Sequence, residues 1–269
     1  MSNDGAELMS ETPETTHGQR NRRQFRRGIY LLPSVFTVGN MFCGYACIMY
    51  SLQGELVKAA PFIGIAVVLD MFDGRVARMT NTTSAFGLEL DSLADIISFG
   101  IAPAVLAFAW GLSDLGRVGW AAGFVYLTAA AVRLARFNIQ SVAPHADKRY
   151  FVGLASPPAA GLVASTVYAW PYPLVGMQYS VAAVALVLIP AVLMVSTIRF
   201  RSFKTINFGW SLAYVNVLLI AALIAFIAIE PRVTLVILAY GYLFSSLIET
   251  GLNRLRAHRE EPAQVPEQS

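Results

Sequence analysis

The chain has 269 residues, of which 56% are hydrophobic and 14% are charged, and its formal net charge at pH 7 is +3. A soluble domain carries about 25% charged residues, so this composition excludes an ordinary soluble protein, and the small net charge gives no indication of nucleic-acid binding. We therefore expect an all-α membrane protein that crosses the bilayer several times.

The N-terminal residues 1–27 are polar and basic, and we predict a disordered cytoplasmic segment there. Five arginines lie between Gln19 and Arg27, directly before the first apolar run. No small-residue cleavage site follows, so the cluster indicates a cytoplasmic anchor rather than a signal peptide. A short amphipathic helix on the membrane surface is the alternative at this position.

Eight apolar segments follow, and most have the roughly 20 residues that a membrane-spanning helix needs. We predict a transmembrane catalytic domain over residues 28–253 and a cytoplasmic tail over residues 254–269. The eight predicted spans are Pro33–Leu52, Lys58–Met79, Leu88–Leu112, Gly119–Asn138, Pro157–Trp170, Ser180–Thr197, Ser211–Ile229 and Val233–Leu252. The fifth is the shortest, and we expect an extended Ser156-Pro157-Pro158 to interrupt the helix before it.

The positions of the basic residues predict the orientation. With the N-terminus inside, the outer connections hold Lys58, Arg117 and Arg232, out of 20 Lys and Arg in the chain. This distribution follows the positive-inside rule. We therefore expect a multi-pass protein of the cell (cytoplasmic) membrane with its N-terminus on the cytoplasmic side.

Four aspartates lie where the second and third spans meet. Asp70 and Asp73 are three residues apart, and Asp91 and Asp95 are four apart, so each pair projects from one face of a helix. Unpaired, the four carboxylates near a bilayer would cost on the order of 10 kcal/mol. Something cationic must offset this cost, either divalent metal ions or the arginines of the same stretch.

The arginines in this stretch are Arg75 and Arg78, too few to neutralise four carboxylates. Carboxylate oxygens without His or Cys nearby suit Mg²⁺, Mn²⁺ or Ca²⁺ and argue against zinc. Gly74 and Gly87 fit the same interpretation, because a residue without a side chain lets a ligand or a neighbouring helix approach the backbone. We therefore favour a metal site on the cytoplasmic side.

Eight residues from Asp70 to Asp95 stand at the spacing D-x2-D-G-x2-A-R-x8-G-x3-D-x3-D. This segment resembles the signature of the CDP-alcohol phosphotransferase family. The resemblance implies a six-helix core, here followed by two further C-terminal helices, and a homodimer. It also implies an enzyme that uses divalent metal to move a phosphatidyl-type group from a CDP-linked lipid to an alcohol, releasing CMP.

The resemblance also implies roles for single residues. Asp70, Asp73 and Asp91 would bind metal, and Asp95 would act as general base on the alcohol and as a ligand in a site for two Mg²⁺ or Mn²⁺ ions. The residues implied for the CDP-lipid are Asp73, Gly74 and Arg78, and we add Asn40 as a candidate contact for it. From its position inside the first span, Asn40 either hydrogen-bonds another helix or lines the nucleotide cleft.

Further segments, among them LLPSVFTVGNMFCGYACI and FVGLASPPAAG, look like the bacterial and archaeal phosphatidylserine synthase branch of the family. This similarity implies that CDP-diacylglycerol and L-serine are the substrates. Arg133 and Arg136 at the inner end of the fourth span either snorkel to lipid head groups or bind the carboxylate of serine. Glycerol 3-phosphate, inositol phosphate or choline as acceptor, and a cation or proton transporter as a different class, are the alternatives.

Overall fold

The computed structural model describes residues 16–80, 84–142, 150–174, 176–196, 199–201 and 213–260. This part of the chain is helical apart from one antiparallel pair of three-residue strands, β1 (Tyr150–Val152) and β2 (Arg199–Arg201). Its eight helices are α1 (Thr16–Leu52), α2 (Leu56–Thr80), α3 (Ala85–Leu115), α4 (Arg117–Val142), α5 (Ser156–Ala169), α6 (Met177–Val195), α7 (Ala213–Ile229) and α8 (Pro231–Glu260). Each predicted span overlaps one of these helices, which confirms the all-helical fold.

Four of the described helices are long and apolar enough to span a bilayer by themselves. These segments are Ser34–Leu52 of α1, all of α3, Arg117–Gln140 of α4 and all of α6. Helix α2 carries the charged residues of the aspartate stretch, and α5 and α7 have 14 and 17 residues. Several apolar helices in one chain make this a multi-pass membrane protein.

The structure corrects the prediction for the N-terminal segment. Helix α1 begins at Thr16, so residues 16–27, predicted to be disordered with a short surface helix as the alternative, continue the first span as one helix. The reason is local, because Arg and Gln are good helix formers and residues 20–27 contain neither Gly nor Pro. Helix α8 likewise runs past residue 253 to Glu260. Residues 1–15 and 261–269 of the predicted terminal segments lie outside the described residues.

Short turns connect the first four helices. Gly54 and Gly116 adopt positive φ angles of 77° and 52° between α1 and α2 and between α3 and α4. Glycine adopts such angles without the steric cost of a Cβ atom. Ser84 caps the N-terminus of α3, where its side chain accepts a hydrogen bond from the Gly87 amide at 3.0 Å.

The expectation of an extended Ser-Pro-Pro before the fifth span is wrong. Ser156, Pro157 and Pro158 form the first turn of α5, and the extended residue is Ala155, with φ −69° and ψ 146°. Proline is tolerated in the first turn of a helix because the backbone N–H groups of that turn have no acceptor within the helix. A residue without an N–H therefore loses no hydrogen bond there. Before this point the chain bends at Gly153, whose φ is 85°.

The helices pack around a core of small and aliphatic side chains. Helix α1 packs along α2 and α3, α4 packs on α6 and α3, and α5 packs against α2 and α8. Buried alanines such as Ala59, Ala66 and Ala160 allow the helices to approach closely. Large apolar side chains, including Trp120 and Phe124, are exposed at the surface, where lipid would cover them.

Helix α3 contains two π-helical turns, Ile96–Ile101 and Phe108–Leu112. The first begins directly after Asp95, at a place where α1 lies very close. A Cβ atom on Gly44 of α1 would lie 2.6 Å from Ser98 Oγ and 2.8 Å from Ser98 Cα. Gly44 therefore sets the distance between α1 and α3 beside the aspartate cluster.

The buried hydroxyl group of Tyr126 allows a test of how the core contributes to stability. The Tyr126 side chain is fully buried, and its hydroxyl makes no hydrogen bond within the described part of the chain. We expect Tyr126→Phe to leave the protein equally stable or about 1 kcal/mol more stable, because it removes a desolvated group and keeps the ring. Thermal unfolding in detergent measures this, and a clear loss of stability would show that the hydroxyl has a partner.

Candidate metal and substrate site

Three carboxylates meet between α2 and α3. Asp70 of α2 and Asp91 and Asp95 of α3 each place one oxygen within 4.8 Å of the others, and all three side chains are partly buried. The two aspartates of α3 are one helical turn apart, so both face α2. The structure thus brings together three of the four aspartates that the sequence nominated as metal ligands.

The cluster has the chemistry of a site for a hard divalent cation. Oδ1 of Asp91 is buried and has no hydrogen-bond partner among the described residues. A buried carboxylate oxygen without a partner is costly, and a cation shared with Asp70 and Asp95 would satisfy it. Oxygen ligands of this kind suit Mg²⁺, Mn²⁺ or Ca²⁺.

Asp73 lies beside this group of three rather than within it. Its carboxyl group contacts that of Asp91 and accepts a hydrogen bond from Thr37 Oγ1 at 3.4 Å. The residue is 4% exposed. Asp73 therefore connects the cluster to α1, and its role as a metal ligand remains a prediction.

Asn40 of α1 contacts the cluster at Asp95. Its Nδ2 atom donates to Asp95 Oδ1 at 3.3 Å, and its backbone carbonyl accepts a hydrogen bond from Ser98 Oγ at 2.8 Å. The residue is 0% exposed. Asn40 does hydrogen-bond another helix, one of the two alternatives from the sequence, and its partner is the predicted general base.

Arg133 of α4 lies near the aspartates. Its guanidinium group attracts the carboxylates of Asp95 and Asp70 electrostatically, and its Nη1 atom donates to Ser156 Oγ at 3.2 Å. The guanidinium also lies over the Phe137 ring, 5.2 Å from the centroid. The Arg133 side chain therefore lies near the aspartates, and its role in binding the acceptor remains a prediction.

Arg136 has a different partner, although it is only three residues away. Its Nη1 atom donates to the carbonyl oxygen of Val195 at 3.3 Å, and Val195 is the last residue of α6. A cation at this position stabilises the negative end of a helix. Arg136 therefore joins α4 to the end of α6, outside the carboxylate cluster.

The other predicted site residues make no described contact with the carboxylate cluster. Arg75 is exposed, and among the described side chains no ion pair within 4.0 Å joins it to an aspartate. The Arg78 side chain lies outside the described residues. Gly74 occupies α2 directly after Asp73. A Cβ atom on Gly87 would lie 3.1 Å from Ser84 Oγ, so that glycine leaves room for its own helix cap.

Two contacting residues were not predicted from the sequence. Thr37 precedes Asn40 by three residues on the same face of α1, a spacing that would have identified it once Asn40 was placed at the site. The sequence did not identify Ser156 as a site residue, because we expected it to lie in an extended segment. It is 2% exposed and holds the Arg133 side chain.

Comparison with known families agrees with this geometry. The family model described as CDP-alcohol phosphatidyltransferase matches residues 30–196, which include every residue of the site. The chain belongs to the CDP-alcohol phosphatidyltransferase family. The family resemblance seen in the signature is thereby confirmed.

Several curated relatives within the CDP-alcohol phosphatidyltransferases carry the name CDP-diacylglycerol–serine O-phosphatidyltransferase. The protein from Helicobacter pylori is 37% identical over 197 residues, which cover 73% of this chain and 82% of that protein. The protein from Bacillus subtilis is 38% identical over 109 residues, covering 40% and 62%. The protein from Saccharomyces cerevisiae is 39% identical over 144 residues, covering 49% and 51%.

Proposed function

We propose that this protein transfers the phosphatidyl group from CDP-diacylglycerol to L-serine, giving phosphatidylserine and CMP. The observation that carries the proposal is the placement of Arg133 next to the carboxylate cluster, together with relatives named for the same reaction. A cluster of carboxylates suits a metal-bound diphosphate, and a neighbouring guanidinium suits an acceptor that has a carboxylate of its own.

In this mechanism Asp95 accepts the proton of the serine hydroxyl. The serine oxygen then forms a bond to the lipid-side phosphorus, the bond from that phosphorus to the oxygen of CMP breaks, and CMP leaves with the electron pair. Asp95 returns the proton to solvent, so one proton is released per turnover. An alcohol is a weak nucleophile at neutral pH, which is why the reaction needs a positioned base.

We propose that Asp70, Asp91 and Asp95 hold Mg²⁺ or Mn²⁺, with Asp73 beside them. When bound, such an ion neutralises the charge of the diphosphate and of the departing CMP. Gly74 and Arg78 are the proposed contacts for the CDP-lipid. The glycine lets the nucleotide approach the α2 backbone, and the arginine pairs with a phosphate.

The experiment that tests the function is CMP release by the purified protein in detergent. CDP-diacylglycerol and Mn²⁺ or Mg²⁺ are supplied with L-serine, glycerol 3-phosphate, inositol phosphate or choline as separate acceptors. Release with serine alone, abolished by EDTA, is the expected result. Release with another acceptor would keep the family and the metal site but reject serine as the substrate. No release with any acceptor from folded protein would reject the transferase reaction.

We propose Arg133 as the residue that binds the serine carboxylate, and we expect Arg133→Lys to raise KM for serine by about 10- to 100-fold. Lysine keeps the positive charge beside Asp70 and Asp95. It lacks the planar guanidinium group, which can donate two parallel hydrogen bonds to a carboxylate. KM for CDP-diacylglycerol should change far less. Both constants come from initial rates of CMP release.

Arg136→Lys is the matched control for Arg133→Lys. It makes the same chemical change three residues away, where the side chain contacts the end of α6. We expect it to alter thermal stability more than the KM for serine. A larger serine effect from Arg136→Lys than from Arg133→Lys would reverse the assignment of the two arginines.

The membrane orientation and the homodimer are also proposals. The distribution of Lys and Arg supports a cytoplasmic N-terminus and a site on the cytoplasmic face of the cell membrane. Labelling of single cysteines introduced at Lys58 and Arg232 in intact cells tests this orientation, because both should react with an impermeant reagent. The dimer rests on family resemblance, and light scattering of the purified protein in detergent tests it.

A further inference from the structure

The side-chain amide of Asn40 has one end bonded and one end without a partner. Nδ2 donates to Asp95, whereas Oδ1 is buried and accepts no hydrogen bond from any described residue. The side chain is also fixed in place, since Ser98 holds the Asn40 backbone carbonyl and the whole residue is 0% exposed. A buried amide oxygen without a donor is costly, so the position is explained if a ligand supplies the donor.

We propose that Asn40 Oδ1 accepts a hydrogen bond from the ammonium group of the acceptor, so that Asn40 selects for amino alcohols. This inference rests on the proposed serine transfer and assigns to Asn40 a role other than the contact with the CDP-lipid that was predicted from its position in the first span. Asn40 would thus contribute to the choice of acceptor as well as to the orientation of Asp95.

The covalent structure of the amide supports this assignment. Oδ1 and Nδ2 are attached to the same carbon, and Nδ2 is bonded to Asp95, so a donor on Oδ1 is a close neighbour of any group held by Asp95. In serine the hydroxyl and ammonium groups are on adjacent carbons. With the hydroxyl on Asp95, the ammonium therefore lies within reach of Asn40.

The three polar groups of serine then each have a complementary partner. Asp95 receives the hydroxyl, Arg133 the carboxylate and Asn40 the ammonium. Arg133 interacts electrostatically with Asp95, the carboxylate that Asn40 contacts, and also with Asp70. A site built to hydrogen-bond a substrate group discriminates strongly against analogues that lack the group, because its own buried polar atom is then left unpaired.

The test measures binding rather than turnover. Equilibrium binding of labelled serine to the full-length protein with CMP and Mn²⁺ is competed with 3-hydroxypropionate, which lacks the amino group. Asn40→Leu removes both polar atoms of the side chain, and Asn40→Asp keeps an acceptor oxygen while removing the donor to Asp95. Thr37→Val is the matched control, because Thr37 lies one turn away on α1 and contacts Asp73 instead.

We expect Asn40→Leu to weaken serine binding by about 10- to 100-fold more than 3-hydroxypropionate binding, so the preference for serine is lost. Asn40→Asp and Thr37→Val should keep the preference. If Asn40→Leu does not fold, loss of the preference in Asn40→Asp would overturn the inference, and its retention would support it.

Two outcomes for Asn40→Leu would also overturn the inference. One is equal weakening of serine and 3-hydroxypropionate, and the other is weaker CMP binding with serine binding intact, which would place the nucleotide's amino group on Asn40. In both cases the wild-type protein still releases CMP with serine, so the proposed function stands. Failure of the wild-type reaction itself is seen separately, in the CMP-release assay.

Discussion

Asp95→Asn lowers the rate of CMP release by about 10²- to 10⁴-fold at saturating CDP-diacylglycerol, serine and metal, the range that general base catalysis contributes. Asparagine has nearly the same shape as aspartate, and its Oδ1 atom can still accept the hydrogen bond from Asn40 that is seen in the structure. The neutral amide cannot take a proton from the serine hydroxyl. The loss is therefore expected in kcat, with thermal stability close to that of the wild type.

Two controls test whether the loss of rate comes from the role of Asp95 as a base. Asp114→Asn makes the same change near the other end of α3, where the exposed Asp114 carboxylate accepts a long hydrogen bond of 3.5 Å from the Gly176 amide. We expect that variant to keep the wild-type kcat. Metal titration separates the two roles of Asp95, since recovery of the Asp95→Asn rate at high Mn²⁺ would mean that Asp95 acts as a ligand and that the base lies elsewhere.

Gly44→Ala is expected to lower activity by about 10²-fold without touching a group that reacts. The added Cβ atom would lie 2.6 Å from Ser98 Oγ and 2.8 Å from Ser98 Cα, so α1 must move away from α3. That movement separates Asn40 from Asp95, and a displacement of about 1 Å at a reacting group can cost about 10²-fold in rate. The overpacking itself should cost about 1–3 kcal/mol of stability.

Gly64→Ala is the matched control, because a Cβ atom at Gly64 of α2 meets no atom within 4 Å. Alanine is the better helix former by about 0.5–1 kcal/mol, so this variant should be at least as stable as the wild type and fully active. Thermal unfolding and CMP release are measured for both variants. Wild-type activity in Gly44→Ala would show that the spacing of α1 and α3 is not critical to the site.

The positions of the helices were predictable from the sequence because their apolar runs are long and their ends carry ordinary signals. Gly54 and Gly116 mark two of the turns, and Ser84 caps the helix that carries Asp91 and Asp95. At the N-terminus a helix was only the alternative prediction, and the reason is physical. Arginine-rich polar sequence has the composition of a disordered tail and also good intrinsic helix propensity, and composition alone does not decide between them.

The approach of the aspartates to one another was foreseeable, but their individual roles were not. Asp70 and Asp73 look equivalent in the sequence, yet only Asp70 joins the group of three, because the rotation of α2 about its axis is set by packing against α1 and α3. Arg133 and Arg136 also share one face of α4. They lie at different depths along the helix and so meet different neighbours, which a spacing rule does not show.

The π-helical turn after Asp95 has a consequence for how this family can vary. A π-helical turn holds one residue more than an α-helical turn, because its hydrogen bonds join residues five apart instead of four. Removing one residue from Ile96–Ile101 would therefore convert this turn to α-helix and leave Asp91 and Asp95 facing Asp70. Removing one residue from the α-helical turn that follows, Ala102–Ala107, would instead rotate both carboxylates by about 100° relative to the rest of α3. We therefore expect active homologues to vary by one residue in the π-helical turn and not in the α-helical turn after it.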